Sequence, residues 1–477
     1  MTTKYLIGVD GGSQSSKVVI FDLSGNVVCS GSQDLQPMLL PEPGVVEHPD
    51  DDLWDSIVVA CRQAMDRFPG DPGNILGVGV GSIRCCRVLM TGDGSLAVPA
   101  INWMDRRLAR PYEHIDPKVS YVAATTGYVT YRFTGSRVDT AANYEGEWPI
   151  DKTSWQWSED REILEKYNLP RDMLFDLKKP GAIAGRVTAA AARATGIPVG
   201  LPVVTTANDK AVEALGTGLM TEDTLLVSLG TYICGMAKGH KFVGDAANFW
   251  TNMASVPDQY LYESGGIRRG MWTISWFKTL LGDDVVTKAK AAGISAEQWL
   301  ENEAVEVPAG CEGLMTILDW LAPANELFRK GLFIGFDGRH GRGHMYRSIL
   351  EAIVLTMKGH TDAMADELGR TWKKVIVSGG GSNSPLFMQI FADVFGVPAE
   401  RNVVNGAASL GAAICAAVAT GAYADFPAAV SAMVRTRDRF LPIEDNVQLY
   451  KRVNRGVYHT IRPDVKPVLK RIYEIFG

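Results

Sequence analysis

Three short glycine turns stand beside strand-like runs, and each carries residue types suited to gripping phosphate. The first is Asp10-Gly11-Gly12-Ser13-Gln14-Ser15-Ser16-Lys17. Its small residues let backbone N–H groups approach phosphate oxygens, while the hydroxyls and Lys17 add donors and charge. Asp10 stands where a carboxylate can hold Mg²⁺ directly or through water. Taken alone, the segment reads equally well as a hairpin turn. The second turn, Ser228-Leu229-Gly230-Thr231, could clamp phosphate from the other side. The third, Gly379-Gly380-Gly381-Ser382, lies between a strand-like run and a helix start, a favourable place for a nucleotide. Its plain alternative is a tight β–α turn. Other chemistries lack their signatures: there is no G-x-x-x-x-G-K-[ST], no H-E-x-x-H, no C-x-x-C and no G-x-S-x-G. Three glycine turns, two of them echoing each other, point to two hinged lobes closing on a nucleotide.

Those turns need strands to hold them. Tyr5–Val9, Val18–Phe21 and Asn26–Cys29 read as an antiparallel meander with tight loops. Trp54, Ile57, Val58, Cys61, Ala64, Met65 and Phe68 share one helical face, after a start at Pro49-Asp50-Asp51. Ile75–Gly81 is a buried strand. Residues 131–180, rich in Trp, Asp and Lys with weak periodicity, form a substrate-side insertion. Leu201–Thr206 is a strand and Lys210–Leu215 opens a helix, so Asp209 reads first as a helix N-cap. Leu225–Leu229 and Tyr232–Lys238 flank the second turn. Lys374–Ser378 precedes the triple glycine. Ser384 and Pro385 then suit N-cap and N1 of a helix with the stripe Phe387, Ile390, Phe391, Val394, Phe395. The echo of Asp10-x-Gly12-Ser13 in Ser228-x-Gly230-Thr231 implies two related halves. The expected division is residues 1–217 and 218–477.

Composition excludes several classes. Of 477 residues, 46% are apolar and 21% charged, which rules out wholesale disorder and a fibrous repeat. Lys and Arg number 48 against 54 Asp and Glu, a net −6 that argues against a nucleic-acid partner. The seven cysteines include adjacent Cys85 and Cys86, too close for a normal bridge, so a reducing cytoplasm is expected. The N-terminus lacks the pattern of a signal peptide. Residues 402–424 are uncharged but mostly small, which suits a tightly packed helix and not a membrane span.

In this order the motifs resemble the FGGY carbohydrate kinases of the actin-like ATPase superfamily, which include xylulose, glycerol, ribulose and gluconate kinases. The resemblance runs over nearly the whole chain. Asp10–Lys17 is similar to the family's D-x-G-[ST]-x-S-x-[RK] loop, and Trp103-x-Asp105-x-Arg107 to its W-x-D-x-R segment. Thr206–Gly218 resembles the stretch bearing the catalytic aspartate, and Ser228–Thr231 the second phosphate motif. Gly331…Gly335-Phe336…His344…Ser348…Glu351 nearly fits the C-terminal signature. Gly379–Gly396 fits the adenosine segment, and Ser409–Ala413 follows at the expected distance.

The resemblance implies an α/β fold of two actin-like, ribonuclease H-like lobes with a catalytic cleft between them. It implies ATP-dependent transfer of the γ-phosphate to a hydroxyl of a small sugar, foremost a ketopentose such as xylulose, with ATP and Mg²⁺ as cofactors. Asp209 becomes the general base, alone or together with a capping role. Asp10 takes the metal. Gly12, Ser13, Gln14, Ser15, Lys17, Gly230, Thr231, Gly380, Gly381 and Ser384 take ATP. Arg84, Cys85, Trp103 and Asp105 take the sugar, although Trp103 could instead belong to the core and Asp105 could instead pair with Arg106 or Arg107 or be the structural partner of Arg84. The resemblance allows a homodimer and calls for neither a membrane nor a nucleic acid. Departures fall on the acceptor side. Gly81-Ser-Ile-Arg84-Cys85-Cys86 replaces the S-G-Q-M-H-G of xylulose kinases, a K-x-x-W-x-x-x-x-x-P stretch is absent, and Ala207-Asn208 replaces the glycines before Asp209. Kinase activity is therefore better supported than any one sugar. A kinase for another polyol or sugar acid, or a non-catalytic sugar-binding regulator, stays open. The adenosine and W-x-D-x-R segments speak against an actin- or chaperone-type ATPase.

Overall fold

Apolar alternation and two glycine-bearing turns fold the first residues into the expected meander. In the computed structural model, which describes residues 3–146, 148–230, 232–323 and 325–477, its strands are Tyr5–Gly11, Ser15–Asp22 and Val27–Asp34. They pair antiparallel, with Asp10 opposite Lys17. Helix Asp52–Asp66 follows and buries Leu53, Trp54, Ile57, Ala60, Cys61 and Ala64. Its N-cap residue, Asp51, gives its carboxylate to Arg132 and Tyr128 and not to the helix N–H groups. Ile75–Ser82 then pairs parallel with Tyr5–Gly11, and Pro202–Thr205 parallel with Ile75–Ser82. Ile183–Arg186 completes a six-stranded sheet at its edge.

The second half repeats this order. Thr224–Leu229, Ile233–Gly239 and Tyr260–Ile267 form an antiparallel series. Lys374–Ser378 pairs parallel with Thr224–Leu229, and Ala399–Asn402 parallel with Lys374–Ser378. Phe249–Met253 and Thr436–Phe440 bring the sheet to seven strands. Every residue of Thr224–Leu229 is buried, as expected of a central strand covered on both faces.

The chain crosses from one sheet to the other between Gly216 and Thr224, but the division at residue 217 is not clean. Helix Ala408–Ala419, from the second half, packs on the first sheet and on helix Asp209–Gly216. A Cβ on Gly8 would lie 1.8 Å from the Ser409 carbonyl oxygen, and one on Gly79 1.9 Å from that of Ala412. The uncharged, small-residue stretch is thus a backbone-to-backbone packing surface. No helix among the described residues is long and apolar enough to cross a membrane.

The 131–180 insertion holds short strands and one three-part aromatic contact, with Tyr144 edge-on to Trp148 and Trp157 at 4.8 and 4.7 Å. Its weak periodicity has a physical reason: it packs between lobes. The Met253 N–H donates to the Glu145 carboxylate at 2.8 Å, and the Tyr260 hydroxyl to the Lys152 carbonyl at 2.7 Å.

One buried histidine supports the Trp103 segment from beneath. His48 is fully buried, with Nε2 3.0 Å from the side-chain amide nitrogen of Asn102. The amide donates, so Nε2 accepts and the ring is neutral. Burial pushes its pKa down to about 4. The folded value lies below the unfolded one of about 6.5, so this contribution is whole above that pH and is lost as pH falls toward about 4. The loss should be on the order of 2 kcal/mol by about pH 5. His48→Gln should therefore flatten the fall in melting temperature between about pH 7 and pH 5. An equally steep fall in the variant would place the acid sensitivity elsewhere.

Candidate active site

The first glycine hairpin turns through Gly12, Ser13 and Gln14, with the Gly12 N–H donating to the Ser15 carbonyl at 3.0 Å. Ser13 and Gln14 are exposed at the tip, and Ser15 is half-buried. Ser16 faces inward, its hydroxyl 2.8 Å from that of Ser56. Lys17 crosses from Asp10 on the neighbouring strand. Burial pushes the Asp10 carboxyl up to about 7, and Asp209 and Glu213 add to the rise, against the pull of Lys17 and Lys210. A carboxyl held that high is short of a cation, which is the condition Mg²⁺ relieves. No group of three His, Cys, Asp or Glu forms a metal cage among the described residues. A metal at Asp10 would therefore complete its shell with phosphate oxygens and water, as Mg²⁺ commonly does.

Helix Asp209–Gly216 starts at the end of strand Pro202–Thr205, and Asn208 is its cap. The Asn208 side-chain oxygen accepts the N–H groups of Lys210 and Ala211, each at 3.1 Å. Asp209 is thereby released from the capping role. Its carboxylate accepts the Lys210 N–H at 2.9 Å and makes no other hydrogen bond among the described residues. Burial raises its pKa, while Arg84 and Lys210 pull it back. Lys210 reaches across the cleft: its Nζ is 2.7 Å from Ser228 Oγ and 3.2 Å from the Glu213 carboxylate. Ser228 donates to the same carboxylate at 2.9 Å. The Asp209 helix is thus tied to the second glycine hairpin, where Gly230 stands at the turn. Thr231 lies outside the described residues.

Arg84 does not pair with Asp105. Its Nη1 and Nη2 donate to Glu263 Oε2 and Oε1 at 2.9 and 2.7 Å, from one lobe to the other. Asn252 donates to the same carboxylate at 2.8 Å, and the guanidinium lies 4.7 Å over the Trp250 ring. Asp105 is a correction to the sequence reading. Its carboxylate accepts from the Val46 N–H at 2.8 Å, the Arg107 N–H at 2.8 Å and the Arg107 guanidinium at 2.7 and 3.0 Å. It caps the turn Arg106–Ala109 and is 4% exposed, so no oxygen is left for a sugar. Trp103, in the same segment, is half exposed. Cys85 has a left-handed φ of 59°, and its thiol lies 3.7 Å from the Glu145 carbonyl. Burial pushes the thiol up to about 12, so it is neutral. Asp10, Arg84, Cys85 and Asp209 come together; Asp105 stays apart.

At the third turn, Gly379 has φ 93° and would place a Cβ 2.4 Å from the Leu229 carbonyl, so only glycine fits. Gly381 also points inward: its Cβ would meet Leu229, Met271 and Phe387 at 2.7, 3.0 and 3.2 Å. A larger residue there disturbs packing before it reaches a nucleotide. Gly380 is exposed and its Cβ would meet nothing within 4 Å. Ser384 is occupied: its hydroxyl accepts the Phe387 N–H at 3.0 Å and donates to Glu301 at 2.7 Å. Gly380→Val is consequently the clean probe of nucleotide approach. We expect it to weaken ATP binding by at least about tenfold in calorimetry, with the melting temperature unchanged. Unaltered affinity would reduce the triple glycine to a turn.

Glu263, Lys210 and Glu213 were not anticipated. Their signals were present: one acid inside the apolar run Tyr260–Ile267, and a Lys/Glu pair three residues apart on a helix that had to be buried. A buried charge demands a partner: Glu263 finds Arg84 in the other lobe, while Lys210 and Glu213 pair on one helix and both bond to Ser228 in the other lobe.

The FGGY family of carbohydrate kinases matches the chain twice: its N-terminal domain over residues 5–139 and its C-terminal domain over residues 225–420. The uncharacterized sugar kinase YgcE of Escherichia coli (strain K12) is 50% identical over 475 residues, spanning 100% of this chain and 96% of that protein. An autoinducer-2 kinase of Yersinia pseudotuberculosis is 25% identical over 494 residues, covering 94% of this chain and 92% of its own. The xylulose kinase of Rhodospirillum rubrum shares the fold with a TM-score of 0.82 at 24% identity, covering 98% of this chain and 100% of that one. The repeated sheet order is accordingly that of two actin-like, ribonuclease H-like lobes. With both family domains in place along one chain and half its residues shared with a sugar kinase, the protein belongs to the FGGY family of carbohydrate kinases and is an ATP-dependent sugar kinase.

Proposed function

We propose that the acceptor is a small sugar, foremost a ketopentose such as xylulose, and that Asp209 is the general base. The observation that supports this most is the pairing of Asn208 and Asp209: the amide caps the helix and leaves the carboxylate next to Arg84. In this reading an acceptor hydroxyl gives its proton to Asp209 as its oxygen attacks the γ-phosphorus, and ADP leaves on the opposite side. The N–H groups of residues 12–15, Lys17 and the Gly230 turn hold the phosphates in line, and the Gly380 turn takes the adenosine side. Mg²⁺, when bound at Asp10, supplies neutralisation of phosphate charge. Arg84 orients acceptor hydroxyls. Closure of the lobes keeps water, a competing acceptor, from the γ-phosphate. All seven thiols are free, which suits a reducing cytoplasm.

The test is coupled ADP release across ketopentoses, polyols and aldonates. Saturable, sugar-dependent release supports the reading. Tight sugar binding without turnover would favour the regulator, to which the rewritten Gly81–Cys86 strip lends weight.

A further inference from the structure

We infer that the acceptor is uncharged, and that Glu263 enforces this choice by holding Arg84; the choice rests on the kinase reading above and narrows it. Glu263 has no exposed surface and lies in strand Tyr260–Ile267 of the second lobe. Both of its oxygens are taken by Arg84, and Asn252 adds a further bond. Such a two-pronged pair, covered on one face by Trp250, neutralises the guanidinium within the protein.

Arg84 is not used up by this. A guanidinium has more N–H donors than one carboxylate accepts. No other acceptor touches Arg84 among the described residues, and none of its nitrogens is both buried and without a partner. Its side chain is 12% exposed. Nε, which has no acceptor among the described residues, is therefore not sealed from the site, and the guanidinium stands close enough to Asp209 to pull that carboxyl down. The acceptor meets donors whose charge is already matched.

Charge then separates acceptors. Arg84 already answers two carboxylates, Asp209 and Glu263, and has no unmatched charge for a third. The neighbouring lysines are committed as well: Lys210 to Glu213 and Ser228, and Lys152 to Glu145. A sugar hydroxyl accepts from Arg84 and adds no charge. A carboxylate must compete with Glu263 for the same guanidinium and come up to Asp209 with like sign. Glu263 acts through Arg84 and is a positioning residue that sets the charge of the substrate.

The experiment uses the full chain with ATP and acceptors matched in carbon number: xylulose and xylitol against xylonate, and fructose and sorbitol against gluconate. The wild type should show kcat/KM at least about 100-fold higher for the better uncharged acceptor than for its aldonate. Glu263→Gln frees the Arg84 charge and should raise the aldonate-to-neutral ratio by at least about tenfold. Arg84→Gln leaves Glu263 unbalanced and should lower that ratio further, so the second variant carries the test if the first does not melt cooperatively. A purely structural pair would change both acceptors alike and leave the ratio still. A wild-type preference for aldonates would overturn the inference alone. An unmoved ratio in folded variants would overturn it too. ADP release without any acceptor dependence would overturn the kinase reading itself, and the charge selection with it.

Discussion

Asp209→Asn should lower kcat by about three orders of magnitude while ATP still binds. A positioned general base contributes roughly 10²–10⁴ in rate, and the amide cannot take the acceptor's proton. The substitution is gentle elsewhere. Asn keeps the volume and can still accept the Lys210 N–H now held at 2.9 Å. The cap is untouched, because Asn208 provides it. Stability should hold or rise, since burial raises the pKa of Asp209 and that carboxylate also lifts Asp10. One measurement gives rate and another gives state: coupled ADP release for kcat, calorimetry for ATP affinity. Retention of more than about a tenth of kcat would take Asp209 out of the base role, because a loss of under 1.4 kcal/mol is too small for that function.

The neighbouring residue shows why the sequence could not settle this point. Asn and Asp are equally good N-caps, so Asn208-Asp209 offers two candidates one position apart. Only the helix register decides which side chain turns back to the N–H groups. The hairpins were legible because each is local: a glycine turn between β-prone runs fixes its own pairing, and Asp10 opposite Lys17 follows. At Asp105 the residues leave a sugar, Arg84 and the neighbours Arg106 and Arg107 all open, and local spacing does not choose among them. The partner is Arg107, two residues on, within a turn whose geometry a spacing pattern does not carry. Glu263 is the opposite case. It meets Arg84 across 179 residues of chain, and nothing nearby in the sequence names that partner. Gly381 was legible as a glycine but not in its direction: the missing side chain faces Leu229, Met271 and Phe387 and not the cleft.

The second large effect concerns the junction of the lobes. Gly411→Ala should lower the melting temperature by about 3 °C or more and kcat by about 100-fold. A Cβ on Gly411 would lie 1.8 Å from the Val212 carbonyl oxygen and 3.0 Å from the Gly216 nitrogen. Both are backbone atoms of the Asp209 helix, so no side chain can rotate away. The two helices must part by well over about 1 Å to reach ordinary contact. Overpacking a core typically costs about 1–3 kcal/mol, and a backbone clash belongs at or above the top of that range. The function falls with it, because the displaced helix carries Asp209 at its first turn and Lys210, which bonds to Ser228 in the other lobe. Misplacement of a reacting group by about 1 Å can lose about 100-fold in rate. Gly338→Ala is the matched control: its Cβ would meet nothing within 4 Å, so stability and rate should both persist. A Gly411→Ala protein that melts and turns over like the wild type would mean that the helices tolerate separation. The close crossing would then not be what holds Asp209 against the two glycine hairpins.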